Sequence, residues 1–199
     1  MLSLARLVPL ATLAMIAALT GQGFSPIAER DGVKVYRKDS GRGIELGAEG
    51  NIAAPPAQVR AVLLDYANHT KWVHNLAESR VLDRGPNSLD VYQRLALPVI
   101  EDRDFTLHVT WGEDAGGSWI RFTTANDRGP KPVRGAVRVP LNEGSWRLEP
   151  IDGGKATHAI YQFHMDLGGS LPGWMGKSRA GKDIPHLFDA IRHQTQYYR

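Results

Sequence analysis

The chain contains no cysteine among its 199 residues. This absence excludes disulfide bonds, thiolate metal ligands, a cysteine nucleophile and a lipidated N-terminal cysteine. A chain of this length corresponds to one domain, and a mature chain of about 175 residues buries roughly 70% of its unfolded surface. We therefore expect a single domain whose hydrophobic core is sufficient without covalent cross-links.

Several motifs of catalytic and nucleotide-binding sites are also absent. The sequence has no HExxH, GxSxG, P-loop or GxGxxG, so no motif indicates a zinc hydrolase, an α/β-hydrolase or a nucleotide-binding protein. The formal net charge is only +3, and the basic residues form no run interleaved with aromatic residues. We expect no metal, no cofactor and no nucleic-acid partner, and we expect a monomer.

The N-terminal apolar run is too short to span a bilayer. Residues 7–20 are uncharged and mostly apolar, and Arg6 is the only charge in residues 1–23. A span requires roughly 20 such residues, whereas a shorter stretch followed by small residues is typical of a signal peptide. We expect residues 1–23 to be a signal peptide cleaved after Thr20 or Gly23, and residues 24–199 to form an exported domain, periplasmic or secreted. An uncleaved anchor is the alternative.

Short segments in which apolar and polar residues alternate dominate the middle of the chain. This period of two indicates half-buried strands, and the Gly-Pro, Gly-Gly and Asp-Gly pairs between segments indicate tight turns. The pattern predicts an antiparallel sheet. Its predicted strands cover residues 32–38, 43–53, 78–83, 89–97, 104–111, 119–125, 136–141, 145–150 and 156–166.

Two segments have the period of a helix. Their apolar faces comprise Val59, Val62, Leu63 and Tyr66 in the first, and Ile184, Leu187, Phe188, Ile191 and Tyr198 in the second. A short further helix is predicted around Trp72 and Val73, and Asp183 is a candidate N-cap for the C-terminal helix. The whole pattern predicts an α+β fold, in which a curved antiparallel sheet wraps around a long C-terminal helix.

The predicted sheet has more large apolar side chains on one face than a single helix covers. They are Phe105, Leu107, Val109 and Trp111 on one strand and Tyr161, Phe163 and Met165 on another. A packed core and an internal cavity are both compatible with this pattern. We predict a cavity that these seven residues line and that Leu187, Phe188 and Ile191 close, because apolar walls suit a lipid.

A cluster of charges, Glu101 to Asp104, precedes the strand that begins at Phe105. A buried arginine requires hydrogen-bond acceptors, which neighbouring carboxylates and carbonyls supply. We therefore interpret Arg103 and Asp104 as a structural anchor, with a ligand contact by Arg103 as the alternative.

Histidines and acidic residues suggest no catalytic centre. Strand parity places Asp90 and His108 opposite the apolar residues of their strands, and we expect His158 and His164 on a solvated face of the last strand. An enzyme with a site in the cavity requires a titratable group that points inward.

Six segments in this order resemble START domains: "DGVKVYRK", "APPAQVRAVLLDY", "LPVIEDRDF", "VRGAVRV", "GSWRLEP" and "YQFHMDLGGSLPGWM". START domains are lipid-transfer domains of the helix-grip superfamily, which also contains Bet v 1-like proteins and polyketide cyclases. The match extends from about Asp31 to the C-terminus. The resemblance implies a lipid tunnel between the sheet and the C-terminal helix.

The resemblance also implies that the tunnel opens near this helix and the loop of residues 126–135. Arg128, Lys131, Val133 and Arg134 in this loop suit a lid that touches an anionic membrane. An ordinary solvated turn is the alternative. The sequence departs from sterol-carrying members at residues 106–109, where it lacks a further arginine.

Together these features predict a non-enzymatic protein that binds and transfers a lipid or other hydrophobic ligand. A cyclase- or hydrolase-like enzyme that acts on a hydrophobic substrate is the alternative. A signalling or assembly factor with a filled core is a third possibility.

Overall fold

The computed structural model of the chain describes residues 19, 21–39, 41, 43–169 and 180–198. Ten strands are defined in this part: β1 (Ser25–Arg30), β2 (Val33–Lys38), β3 (Ile44–Ile52), β4 (Leu76–Gly85), β5 (Ser88–Leu95), β6 (Asp102–Asp114), β7 (Gly117–Thr124), β8 (Ala136–Arg138), β9 (Leu141–Ile151) and β10 (Ala156–Asp166). Two α-helices accompany them, α1 (Pro56–Leu64) and α2 (Ala180–Gln194).

All ten strands belong to one sheet, in the order β1-β2-β3-β10-β9-β7-β6-β5-β4 with β8 paired to β6. The neighbours along this order are antiparallel, as the sequence predicts, and β8 alone among the described strands pairs in parallel. Residues 136–141, predicted as one strand, are divided between β8 and the start of β9. Pro140 lies at this break, where it has no N–H to contribute to a strand ladder.

Strand β1 is absent from the sequence-based prediction. It is an edge strand that is exposed along most of its length, so it lacks the alternation that identifies a half-buried strand. Its pairing with β2 is irregular between Pro26 and Ala28. Proline is tolerated in a sheet at such edges, because a missing N–H there costs no ladder hydrogen bond when it faces outward.

Helix α1 begins with prolines and buries Val59, Val62 and Leu63, as its periodicity predicts. The short helix predicted around Trp72 and Val73 is instead a 3₁₀ helix, Tyr66–Lys71, which ends before Trp72. Asp183 lies inside the first turn of α2 and is therefore not its N-cap. The sequence also allows a helical segment over residues 174–180, of which residues 174–179 lie outside the described residues.

The core lies between the sheet and the two helices. Ile184, Phe188 and Ile191 of α2 are buried against apolar side chains of the sheet. The helix approaches β3 closely at Gly50, where an added Cβ atom would stand 3.2 Å from the Phe188 ring. Gly50 thereby permits the helix to pack directly on the backbone of the sheet. Among the helices of the described chain, none has the length and apolarity needed to cross a membrane.

Candidate functional site

A cavity of about 630 Å³ lies beside α2, and we call it the outer cavity. Its floor includes Tyr161 and Phe163 of β10, and its sides come from α2 and from the segment that follows the 3₁₀ helix. It is lined by Trp72, Val73, His74, Asn75, Tyr161, Phe163, Lys182, Asp183, Ile184, His186, Leu187 and Ala190.

A second cavity of about 130 Å³, the inner cavity, reaches into the core. It is lined by Leu63, Tyr66, His69, Trp72, Val73, Leu76, Gln93, Leu95, Leu107, Ile120, Phe122, Trp146 and Leu187. Most of these residues are buried, and none of them is an acid, a lysine or an arginine. The two cavities adjoin, because Trp72, Val73 and Leu187 line both.

Stacked aromatic rings form the wall between the cavities and the sheet. Tyr161 on β10 pairs across the strands with Trp146 on β9, and their rings stack at 4.2 Å. The Tyr161 ring also stacks on Phe163 at 5.1 Å and lies 6.4 Å from Phe122. Offset contacts of this kind add to the stabilisation from burial, and they hold each ring in one orientation.

His69 contributes a polar side chain to the inner cavity. Its ring packs between Tyr66, at 4.5 Å, and Trp72, at 4.8 Å, and its Nε2 atom lies 3.3 Å from the Val62 carbonyl oxygen. Burial lowers the pKa of His69 to about 4. The imidazole is therefore neutral at physiological pH.

The structure places four of the ten predicted lining residues at these cavities. Tyr161 and Phe163 line the outer cavity, Leu107 lines the inner one, and Leu187 lines both. The other six, Phe105, Val109, Trp111, Met165, Phe188 and Ile191, line neither of the two. Val109, for example, is completely buried, and its partners on the neighbouring strands, Leu89 and Phe122, are buried as well.

The segment from His69 to Asn75 is the largest contribution to the cavities that sequence analysis missed. Its residues follow neither a helical nor a strand period, so no face could be assigned to them. Composition could have indicated that this segment is buried, because Trp72 and Val73 are large apolar residues in a mostly polar connection between α1 and β4.

Arg103 is only 2% exposed and lies at the start of β6. Its guanidinium donates hydrogen bonds to three main-chain carbonyls, those of Glu101, Leu167 and Gly168. The sequence suggested carboxylates and carbonyls as acceptors for this arginine, and in the described part of the chain the acceptors are carbonyl oxygens. The side chain thereby ties the entry of β6 to the turn that follows β10.

Asp104, the other predicted anchor residue, is completely buried. It accepts two hydrogen bonds from Arg138, at 2.9 and 3.0 Å, and one from the Tyr92 hydroxyl at 3.2 Å. Arg138 also donates to the Pro130 carbonyl oxygen at 3.0 Å. This cluster therefore joins β6, β8 and the loop of residues 126–135.

The loop of residues 126–135 lines neither cavity. Its base is held by Asn126, which accepts a hydrogen bond from the Thr106 N–H and donates one to the Val139 carbonyl. Arg128 lies 3.2 Å from Asp90. Asp90 in turn lies 2.6 Å from His108, on the face opposite the apolar side chains of β5 and β6. Lys131 and Arg134 are exposed, whereas Val133 is half-buried.

His158 is buried, contrary to the expectation of a solvated position. Its Nδ1 atom lies 2.8 Å from the Asn51 side-chain oxygen, and its Nε2 atom lies 3.6 Å from Glu49. The interaction with His158 is the main cause that lowers the pKa of Glu49, which also accepts a hydrogen bond from Tyr36. Leu19 and Phe24 pack on Tyr36 on this outer face of the sheet. Among the residues that the structure describes, no three acidic or histidine side chains are arranged as a metal site.

Known proteins share both the sequence and this architecture. A family model described as "Polyketide cyclase / dehydrase and lipid transport" matches residues 52–192. An uncharacterized protein of Pseudomonas aeruginosa is 30% identical over 174 residues, which are 82% of this chain and 86% of that protein.

Solved structures extend the likeness to the fold. A STAR-related lipid transfer protein from Xanthomonas axonopodis is 26% identical, with a TM-score of 0.78, over 87% of this chain and 99% of that one. Human STARD10 shares the fold with a TM-score of 0.79 at 19% identity, over 98% of this chain and 84% of that one. The Zhui aromatase/cyclase from a Streptomyces species matches less well, with a TM-score of 0.55 at 14% identity, over 76% of this chain and 93% of that one. The chain therefore belongs to the polyketide cyclase, dehydrase and lipid-transport family, and its fold is the START helix-grip fold.

Proposed function

We propose that this protein binds a lipid or another apolar molecule in the adjoining cavities and carries it without changing it chemically. The observation that carries the proposal is the apolar, aromatic lining that continues from the outer cavity into the uncharged inner cavity. Similarity to a STAR-related lipid transfer protein supports it. Apolar walls with few polar groups favour an apolar ligand over a charged metabolite.

Such a carrier needs no catalytic group, because its contribution is to shield the ligand from water. Each buried CH₂ group contributes roughly 0.8 kcal/mol, so transfer of a 14-carbon chain through water costs on the order of 11 kcal/mol. A cavity that replaces the apolar surroundings of a membrane removes much of this barrier.

The test is binding of a fluorescent fatty acid to a variant in which the cavities are filled. Leu187 lines both cavities, so Leu187→Trp should weaken binding by roughly tenfold or more, which is ~1.4 kcal/mol, at an almost unchanged melting temperature. Leu82→Trp is the control, because Leu82 lies exposed on the edge strand β4 and lines neither cavity. Equal binding by both variants and the native protein would contradict the proposal.

His69 is the one observation that favours an enzyme as a second candidate. It is a neutral imidazole at the inner cavity, a suitable position for a general base, and the family includes cyclases by its description. Mass spectra of organic extracts from native protein and from His69→Gln distinguish the candidates. An enzyme whose base is removed retains substrate in place of product, so the extracted ligands differ in mass or, for a cyclisation that conserves mass, in chromatographic retention. A carrier yields the same masses and retention from both proteins.

A further inference from the structure

Two tyrosine hydroxyls at the cavities have no hydrogen-bond partner within the described residues. Tyr66 lines the inner cavity and is 8% exposed, and Tyr161 lines the outer cavity. The enclosed side-chain atoms that lack a partner there are Trp72 Nε1, Thr106 Oγ1 and His158 Nε2. The Tyr66 and Tyr161 hydroxyls also lack a partner but are not fully enclosed. Each therefore retains accessible surface.

Tyr66 and Tyr161 line cavities that adjoin, and the Tyr161 ring stacks at 4.2 Å on Trp146, which lines the inner cavity together with Tyr66. Burial raises the pKa of both tyrosines, and the proximity of Tyr66 raises the pKa of Tyr161 further. Both groups are therefore protonated at neutral pH and available as O–H donors. A ligand oxygen that accepts a hydrogen bond from one of these hydroxyls gains affinity over an apolar group at the same place, which would leave the hydroxyl unpaired.

The surroundings of these hydroxyls do not suit a charged group. The inner cavity has no acidic, lysine or arginine side chain in its lining, and His69 is neutral. The charged residues at the cavities are Lys182 and Asp183, which are exposed on α2 at the outer cavity. Transfer of an ionised group from water to the inner cavity would have no compensating charge.

We propose that the ligand places an uncharged oxygen, a hydroxyl or a carbonyl, at the Tyr66 and Tyr161 hydroxyls where the two cavities adjoin. Its apolar body then lies along the aromatic wall, and any charged group stays at the outer cavity near Lys182. This inference rests on the proposed function and adds a ligand class to it. The class is long apolar molecules that bury an uncharged polar group rather than an ionised head.

Three matched fluorescent polyenes test the inference: diphenylhexatriene, its hydroxymethyl derivative and its propionic acid derivative. The native protein should bind the hydroxymethyl compound about fivefold more tightly than the bare hydrocarbon, which corresponds to one net hydrogen bond. It should bind the carboxylate most weakly. Tyr66→Phe and Tyr161→Phe should each reduce the preference for the hydroxyl and leave the affinity for the hydrocarbon unchanged.

Tyr197→Phe is the control, because Tyr197 is exposed and lines neither cavity. Melting temperatures establish that each variant is folded, and either cavity variant suffices if the other unfolds.

Tight binding of all three polyenes without a preference for the hydroxyl, or tightest binding of the carboxylate, would overturn this inference while the proposed function stands. A preference retained in both cavity variants would also overturn it. If the native protein binds none of the polyenes, the proposed function fails together with the inference.

Discussion

Arg103 is buried, and its guanidinium donates to the nearby Glu101 carbonyl oxygen and to the carbonyl oxygens of Leu167 and Gly168, which are distant in the chain. Replacement by alanine leaves these carbonyls without their charged donor and opens a cavity in a packed region. We predict that Arg103→Ala lowers the free energy of unfolding by about 2–4 kcal/mol. Urea titration of both proteins measures this loss.

Arg30→Ala is the matched control for Arg103→Ala. Arg30 is exposed and pairs only with its neighbour Asp31 among the described residues, so its loss should cost less than about 1 kcal/mol. If Arg103→Ala keeps native stability but loses ligand binding, then Arg103 is a ligand contact and not an anchor.

His69 makes the stability of the protein dependent on pH. Its pKa is about 4 in the folded protein and 6.5 without the fold, so the unfolded state binds more protons between these values. Stability is therefore complete above pH 6.5 and decreases as the pH falls through this window, by on the order of 3 kcal/mol. Urea titrations across this window should show a shallower dependence for His69→Gln than for the native protein.

An exposed histidine provides the comparison for this pH dependence. His193 lies on the outer side of α2, so His193→Gln should leave the slope of stability against pH unchanged. The same slope in the native protein and in His69→Gln would show that His69 is not the group responsible.

At the level of the element, β6 presents two apolar residues on one face with different surroundings. Leu107 lines the inner cavity, whereas Val109 is completely buried and lines neither cavity. We predict that Leu107→Trp is tolerated but displaces a bound fluorescent fatty acid. Val109→Trp should lower stability by about 1–3 kcal/mol, because it overpacks the core.

Each of these two β6 variants is the control for the other, since both add the same side chain to the same strand face. Melting temperature and ligand affinity are measured for both. If Val109→Trp is tolerated and Leu107→Trp is destabilising, the free space lies further along β6 than the two cavities described here.

For the molecule as a whole, export remains a prediction from residues 1–23. The structure adds that Leu19 and Phe24 pack on Tyr36, on the outer face of the sheet. Cleavage after Thr20 or Gly23 removes Leu19 and retains Phe24. N-terminal sequencing of protein recovered from the exported soluble fraction should therefore begin at Gly21 or Phe24. An intact Met1 in the membrane pellet would contradict the prediction.

The architecture of the whole sheet was largely predictable because it depends on local periodicity. Strands such as β2, β3 and β10 alternate apolar and polar residues, and that alternation is visible in the sequence. The edge strand β1 is exposed on both faces, and the three-residue β8 is shorter than one detectable period. β1 left no signal of this kind, and β8 was predicted only as part of a longer strand over residues 136–141.

The sequence by itself determined the fold class, the buried face of each helix and the apolar face of β6 and β10. It did so because the 3.6-residue and two-residue periods relate each side chain to its own element. Only the tertiary structure decided which of those apolar residues meet a cavity and which meet each other. Free space depends on how separate elements pack, so Leu107 and Val109 appear equivalent in sequence and differ in the fold. The partners of Arg103, Asp104 and His158 were decided in the same way, by contacts between residues far apart in the chain.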